Sequence, residues 1–442
     1  MTERDGRLAP ESLGSPAFRA AHAVRLAYVA GSMYKGVASV AMVRRMAQAG
    51  LLAYLGAGGL TPERLQRDLA ELRSSLASEA SWGVNLLASI EDPEAEDATV
   101  DLLLHNGVRR IEAAAYVHMT PALVRYRLSG ARLGADGRPH VPNMVLGKAS
   151  RPEVAAAFLS PPPPAIVTAL RDAGRITASE SALAARVAMA DDLCAEADSG
   201  GHTDQRPLCV LLPDMVRLRD RLGAEPPSRP PIRVGVAGGL GTPEAIAAAF
   251  VMRADFVLTG SINQCTVESG TSERVKELLA QAGIQDTAIV PAADMLEIGA
   301  KAQVLRRGLF FPARANRLYE LYRAHNSLEE LDDRTVAQLE QKYFRRSLDD
   351  VWAETRAYLQ TARPAELPRV EADPKQRMAH VFKWYFVHAT RLAMRGSSEQ
   401  RVDYQVPCGP AMGALNAYLR GSGLGGWCFS QRRGSVRPSS HD

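Results

Sequence analysis

The sequence predicts an α/β fold: a parallel barrel of eight strand–helix units, with a helical domain after it. Three observations lead there. Eight short apolar runs recur between residues 25 and 259, most of them followed by a segment with helical spacing. Apolar strands alternating with amphipathic helices indicate a parallel sheet covered on both faces. Two glycine-bearing turns, Val-Ala-Gly-Gly-Leu-Gly-Thr at 236–242 and Leu-Thr-Gly-Ser at 258–261, follow the last two runs. Beyond residue 315 the chain turns rich in Leu, Arg, Glu and Tyr at helical spacing, as in Leu318, Leu321, Tyr322, Phe344, Leu348 and Trp352. Eight units fit a TIM (β/α)8 barrel with an additional C-terminal helical domain. The runner-up, a doubly wound sheet, more often uses five or six.

The strands are expected over 25–30, 51–56, 82–87, 109–114, 143–148, 192–197, 232–237 and 255–259. Helices are expected over 38–49, 61–78, 92–105, 120–128, 152–158 and 243–252. Four prolines, Pro161 to Pro164, cannot continue a helix, and 166–189 reads as a helical insertion before the sixth strand. Residues 204–231 read as a long connection ending in a proline cluster. The domain reading is a barrel over 1–310, its insertion at about 160–190, a helical substrate or lid domain over 311–405, and a return segment with an atypical tail over 406–442.

Composition bounds the partners. With 442 residues and 46% hydrophobic content there is room for a barrel and a further domain. A formal charge of +4 without a dense basic block argues against nucleic acid; the basic stretch at 431–437 holds only three arginines. Five cysteines stand singly, at Cys194, Cys209, Cys265, Cys408 and Cys428. None has metal-ligand spacing, and an odd count argues against a disulfide framework. No 18-residue apolar run is present and the first seven residues are highly charged, so a cytoplasmic protein without a membrane association is expected.

In a β/α barrel, chemistry gathers where strands run into loops. The paired turns at Ala237, Gly238 and Gly239 and at Gly260 and Ser261 have the form of a phosphate site: glycine admits an anion close to the backbone, and a helix N-terminus favours negative charge. Each turn alone also reads as an ordinary tight turn. Asn85 lies inside an apolar strand, where an unsatisfied amide would cost about 1–3 kcal/mol; it serves either a heterocycle or the protein's own backbone. Lys148 ends the fifth strand, where it stabilises negative charge on a ligand or pairs with a carboxylate. The sixth strand opens into Glu196-Ala-Asp-Ser-Gly200-Gly201-His202-Thr-Asp204. An imidazole titrates near neutrality and suits proton transfer, although a lone histidine is more often structural.

Taken in order, Asp198-Ser-Gly-Gly-His202-Thr-Asp204, Ala237-Gly-Gly-Leu-Gly-Thr-Pro243 and Leu258-Thr-Gly-Ser-Ile-Asn-Gln264 resemble the flavin-binding barrel of 2-nitropropane dioxygenases and flavin-dependent enoyl reductases. Ala27-Tyr-Val-Ala-Gly-Ser-Met-Tyr-Lys-Gly36, Pro291-Ala-Ala-Asp-Met295, Lys301-Ala-Gln-Val-Leu-Arg-Arg-Gly308 and Cys408-Gly-Pro-Ala-Met-Gly-Ala-Leu-Asn416 resemble the PfaD-type branch, the trans-acting enoyl reductases of polyunsaturated fatty acid and polyketide synthases. The resemblance covers about residues 12–424. It implies FMN in the barrel, its phosphate at Gly238, Gly239, Gly260 and Ser261, and a cofactor set completed by Met33, Asn85, Lys148, Glu196, Gly200, Gly201 and Ala237. It implies that His202 is the catalytic acid or base, that no metal is bound, and that NADPH or NADH is the co-substrate. The substrate would be an enoyl thioester on an acyl carrier protein of a polyketide or fatty acid synthase, and the reading leaves room for a homodimer. Nitronate monooxygenase and a non-catalytic flavoprotein subunit of the synthase are the alternatives. Relatives more often carry Glu-Ala-Gly-Gly-His where this chain has Asp198-Ser-Gly-Gly-His202, and the chain departs from the family pattern after Ser422.

Overall fold

The computed structural model describes residues 9–89, 92–223 and 232–422. The proline cluster at 226–231 and the tail beyond 422 therefore lie outside the described residues. All eight expected strands form: β1 (Tyr28–Ala30), β2 (Leu52–Leu55), β3 (Gly83–Leu87), β4 (Arg110–Ala114), β5 (Met144–Ala149), β6 (Asp192–Glu196), β7 (Arg233–Ala237) and β8 (Val257–Thr259). Each pairs in parallel with its neighbours in chain order, and β8 closes on β1 through Tyr28↔Val257 and Ala30↔Thr259. The result is a closed parallel barrel wrapped by helices.

The helices start where short side chains can cap them. Thr61, Asp92, Thr120 and Thr242 each accept a hydrogen bond from the backbone N–H three residues on, and each is followed by proline. Proline suits the first helical position because the N–H it lacks would have no partner there. These caps start the helices Pro62–Ser75, Pro93–His105, Pro121–Leu128 and Pro243–Val251.

Two expectations change. The 204–231 connection contains a 15-residue helix, Leu208–Leu222, with Pro213 inside it. Its Leu211, Leu212, Met215, Val216 and Leu218 are buried in the barrel core, and that burial outweighs the proline. The 166–189 insertion is two helices, Pro164–Asp172 and Ala178–Leu183, and the last of the four prolines opens the first of them.

A buried ion cluster ties the first helix to two strands. Asp192 Oδ2 lies 2.8 Å from His22 Nε2, and Asp192 Oδ1 accepts from Arg233 Nε at 2.6 Å. Burial opposes ionisation of Asp192, but His22 and Arg233 outweigh it and hold the carboxyl below its ordinary value. A depressed pKa contributes stability above the unfolded value and loses it as pH falls through the folded one. Asp192→Asn is thus expected to lower unfolding free energy at pH 7 by about 3–5 kcal/mol, the range for breaking a buried pair. The gap to wild type should begin to narrow below about pH 4, the ordinary carboxyl range, and close as pH falls through the lower value of the folded carboxyl. Urea unfolding across pH measures both; a neutral substitution at pH 7 would show that the cluster does not stabilise the barrel.

The chain divides into two compact units. The first holds the barrel, the described residues of 9–199 and 204–270, together with 417–422. The second is 200–203 with 271–416. Residues 271–310, expected from the sequence to belong to the barrel, thus group with the helical unit. That unit has its own three-stranded antiparallel sheet, Thr287–Pro291, Lys301–Leu305 and Gly201–His202, and its own core. Phe311, Phe382, Tyr385 and Phe386 are fully buried there, packed along the 22-residue helix Pro374–Arg395. The sheet leaves little trace in the sequence because one of its strands is two residues long.

Candidate active site

Towards the C-terminal ends of the barrel strands, three neighbouring strands, β4, β5 and β6, bring charge together. Glu112, on β4, is fully buried. Its two carboxylate oxygens accept from Ser32 Oγ at 2.7 Å and Ser32 N at 3.0 Å. Lys148, on β5, places Nζ 2.7 Å from Glu196 Oε1 on β6 and 3.5 Å from Glu112 Oε1. Burial opposes a charge on this amine, yet the two carboxylates outweigh it, and its pKa is held above the ordinary lysine value. It is an ammonium throughout the neutral range and cannot serve as a base there. Two carboxylates face one ammonium, and the Glu196 side chain keeps 27% of its surface exposed, available to a further donor.

Asn85 sits beside this network and donates Nδ2 to the Glu112 carbonyl at 3.0 Å. The backbone therefore satisfies the amide's donor, the structural use weighed for it above. Glu112 is the residue that sequence reasoning missed. A lone carboxylate in the run Arg109-Arg-Ile-Glu-Ala-Ala114 carries the same signal as Asn85, since a buried charge needs partners even more than a buried amide.

The two glycine turns have unequal constraints. A Cβ at Gly238, where φ is +97°, would come within 2.7 Å of the Ala197 and Asp198 backbone, so only glycine fits. A Cβ at Gly239 or Gly260 would meet no protein atom within 4 Å among the described residues. The protein leaves open space at both positions. Beside the first turn the helix Pro243–Val251 begins. The second turn is braced: Thr259 Oγ1 donates to Asn263 Oδ1 at 3.2 Å, Asn263 Nδ2 donates to the Thr259 carbonyl at 2.9 Å, and Tyr28 Oη lies 2.6 Å from Thr259 Oγ1. Ala237 is buried at the end of β7 and Ser261 follows Gly260 at the end of β8. Open glycine turns near a helix N-terminus fit a phosphate, and the Glu112–Lys148–Glu196 network fits a polar heterocycle. The residues present thus suit the expected FMN. Met33 caps the short 3₁₀ turn Tyr34–Gly36 after β1, against Gly56, where a Cβ would strike the Met33 carbonyl.

The expected set is divided. Gly200, Gly201 and His202 group with the second unit, apart from the barrel residues. A Cβ at Gly200 would strike the Cys408 backbone at 2.8 Å, and Gly201 has φ +84°. His202 and Gly201 pair with Ala302 and Gln303. His202 Nε2 lies 2.9 Å from Asp294 Oδ1. Partial desolvation opposes ionisation of Asp294, whose side chain is 60% exposed, but the hydrogen bond and charge of His202 outweigh it, leaving the carboxyl below its ordinary value. An ionised Asp294 accepts an N–H from the ring, which is how a carboxylate fixes a working imidazole. Asp204 turns instead to Ser150 and Arg151 just after β5, and the Asp198 backbone N–H donates to the Arg206 carbonyl. Among the described residues no cluster of His, Cys, Asp and Glu could hold a metal ion, and no helix is long and apolar enough to cross a membrane.

The nitronate monooxygenase family profile matches residues 19–315, and the inserted helical domain of [acyl-carrier-protein] S-malonyltransferase matches 325–404. The polyketide biosynthesis protein PksE of Bacillus subtilis is 46% identical over 94% of this chain and 54% of its own length. A component of a polyunsaturated fatty acid synthase from Thraustochytrium is 40% identical over 93% of this chain and 28% of its own. This chain thus spans about half, or less, of these relatives. The enoyl reductase domain of MlnA, from the macrolactin cluster of Bacillus amyloliquefaciens, superimposes with a TM-score of 0.91 at 38% identity, covering 95% of this chain and 94% of that one.

Proposed function

The chain belongs to the nitronate monooxygenase family, in the branch of enoyl reductases associated with polyketide and polyunsaturated fatty acid synthases, and from that premise we propose that it reduces 2,3-enoyl thioesters carried on an acyl carrier protein. One observation carries the reading: barrel and helical unit are matched together, over 95% of the chain, by an enoyl reductase domain. The helical match at 325–404, to a domain of an enzyme that acts on acyl carrier protein, supports a carrier-borne substrate.

Bound FMN would supply the hydride chemistry, delivering to the β-carbon a hydride drawn from NADPH or NADH. The chain's own residues hold and balance the rest. Gly238, Gly239, Gly260 and Ser261 would hold the phosphate. Lys148, fixed as an ammonium by Glu196 and Glu112, would face the ring and stabilise negative charge. His202, oriented by Asp294, donates the proton that the α-carbon needs as the double bond becomes single. The saturated thioester and the oxidised nicotinamide then account for both electrons and both hydrogens.

The match of residues 19–315 favours one second reading, a nitronate monooxygenase that shares the barrel and the histidine but consumes oxygen. The test is direct. The purified protein is expected to be yellow and to release FMN on denaturation, with one phosphate site and no dinucleotide fingerprint after an early strand. NADPH should bleach it, and a crotonyl thioester should restore the colour anaerobically while a nitronate does not. Reduction of the oxidised flavin by a nitronate, with oxygen and not the thioester restoring the colour, would install the second reading, and protein that takes up no flavin would refute both.

A further inference from the structure

Within the helical unit, a cavity of about 700 Å³ is lined by Arg314, Glu340, Gln341, Lys342, Arg345 and Arg346. Four of these six side chains are cationic. The local backbone gathers them at some cost: Leu339–Phe344 is a π-helical turn, and Arg345 follows it with φ +57°, a left-handed conformation uncommon for a residue with a Cβ. Such strain concentrates at sites of function.

The protein's own carboxylates neutralise only part of this charge; Glu340, the one anion in the lining, accepts from the Leu348 N–H at 2.9 Å. Arg314 pairs with the buried Asp403, which also accepts from Tyr385 Oη at 2.8 Å. Arg346 pairs with Glu354, and both side chains are more than a third exposed, so that pair is weak. The nearest carboxylate to Arg345 is the same Asp403, 3.9 Å away and already engaged. Lys342 has no carboxylate within ion-pair distance among the described residues. Aromatic rings support the arginines. Arg314 lies over Phe310 at 5.5 Å and over Tyr343 at 5.1 Å, and Arg346 lies over Trp384 at 5.1 Å. Phe310 is 58% exposed, a large apolar ring beside the cationic cluster. Arginine with exposed aromatic residues is the composition of an interface centre, and an excess of one sign of charge selects a partner of the other.

We propose that this cleft is the docking surface for the acidic face of the carrier protein that bears the thioester, with Lys342 and Arg345 supplying its unmatched positive charge. The inference rests on the carrier-linked function proposed above. A protein partner fits better than a small anion because the opening is wide and an exposed phenylalanine stands beside the cations.

The experiment measures carrier binding without turnover, and steady-state reduction is followed separately. A fluorescently labelled, crotonyl-loaded acyl carrier protein of a bacterial polyketide synthase is titrated with the full chain by anisotropy, at low and high salt. Lys342→Glu/Arg345→Glu is expected to raise Kd at least tenfold at low salt, while wild-type affinity falls as salt rises. The control Arg132→Glu/Arg171→Glu makes the same charge change on the barrel unit and should leave Kd within twofold. Lys342→Gln/Arg345→Gln serves if the reversal variant fails to fold, and should weaken binding by a smaller factor. An unchanged Kd in the cleft variants would overturn the proposal. So would a rise confined to the KM for NADPH, which would assign the cleft to the nucleotide phosphate. Carrier binding without thioester reduction would retain the docking surface and sink the proposed reaction. Reduction of crotonyl pantetheine with unchanged carrier Kd would do the reverse.

Discussion

Gly239→Asp is expected to yield folded, colourless protein. The choice of residue follows from what surrounds each glycine. At Gly238 any side chain would collide with the Ala197 and Asp198 backbone, so a variant there would report on the barrel. At Gly239 the Cβ direction is open, and φ of +71° is a conformation that aspartate tolerates better than most residues. The fold should therefore survive while the carboxylate occupies the place of an anion. Repulsion and bulk together should lower FMN affinity by at least ~100-fold, about 2.7 kcal/mol. Gly239→Asn supplies the same shape without the charge and should retain more cofactor. The measurements are the flavin-to-protein absorbance ratio after purification and the Kd on reconstitution, with melting temperature confirming the fold. A stoichiometric flavin in Gly239→Asp would move the phosphate site away from residues 237–242.

His202→Ala separates hydride delivery from proton delivery. FMN should stay bound, since the proposed phosphate grip lies at the ends of β7 and β8. Reduction by NADPH should proceed at the wild-type rate because that half-reaction needs no acid from the protein. Reoxidation by a crotonyl thioester should slow by roughly 10²–10⁴-fold, the usual contribution of a placed general acid. Stopped-flow absorbance resolves the two half-reactions. A smaller loss would assign the α-proton to water. Reoxidation at the wild-type rate would leave the His202–Asp294 pair, at 2.9 Å, a structural contact within the second unit.

The barrel was legible because its signals are local. Each strand is a short apolar run, and helix starts such as Thr61-Pro62 and Thr242-Pro243 carry their cap and their first-turn residue side by side. Hydrophobic periodicity and caps depend on neighbours within a few positions, so eight strands and six helices could be read in order from the sequence alone. The helix Leu208–Leu222 was not, because Pro213 argues locally against it and only burial against the core overrides that penalty.

The glycine turns, Lys148 and Glu196 were legible for the same local reason, as punctuation at strand ends. What the residues do to one another was not. Glu112 and Ser32 are 80 positions apart, and Lys148 meets its two carboxylates from strands on either side. Such pairings exist only after β4, β5 and β6 are set in register, Glu112↔Leu146 and Lys148↔Cys194 among the aligned pairs. The same holds for His202, whose motif suggested a barrel-loop residue. Its partner Asp294 is 92 positions away, on the segment between two strands of a sheet that local periodicity did not reveal. The fold class, the order of the elements and the residue types at the strand ends are written in local sequence. Which carboxylate charges Lys148, which one orients His202, and which unit each belongs to are settled only once the chain has folded, because ion pairs and hydrogen bonds act over a few ångströms of space without regard to distance along the chain.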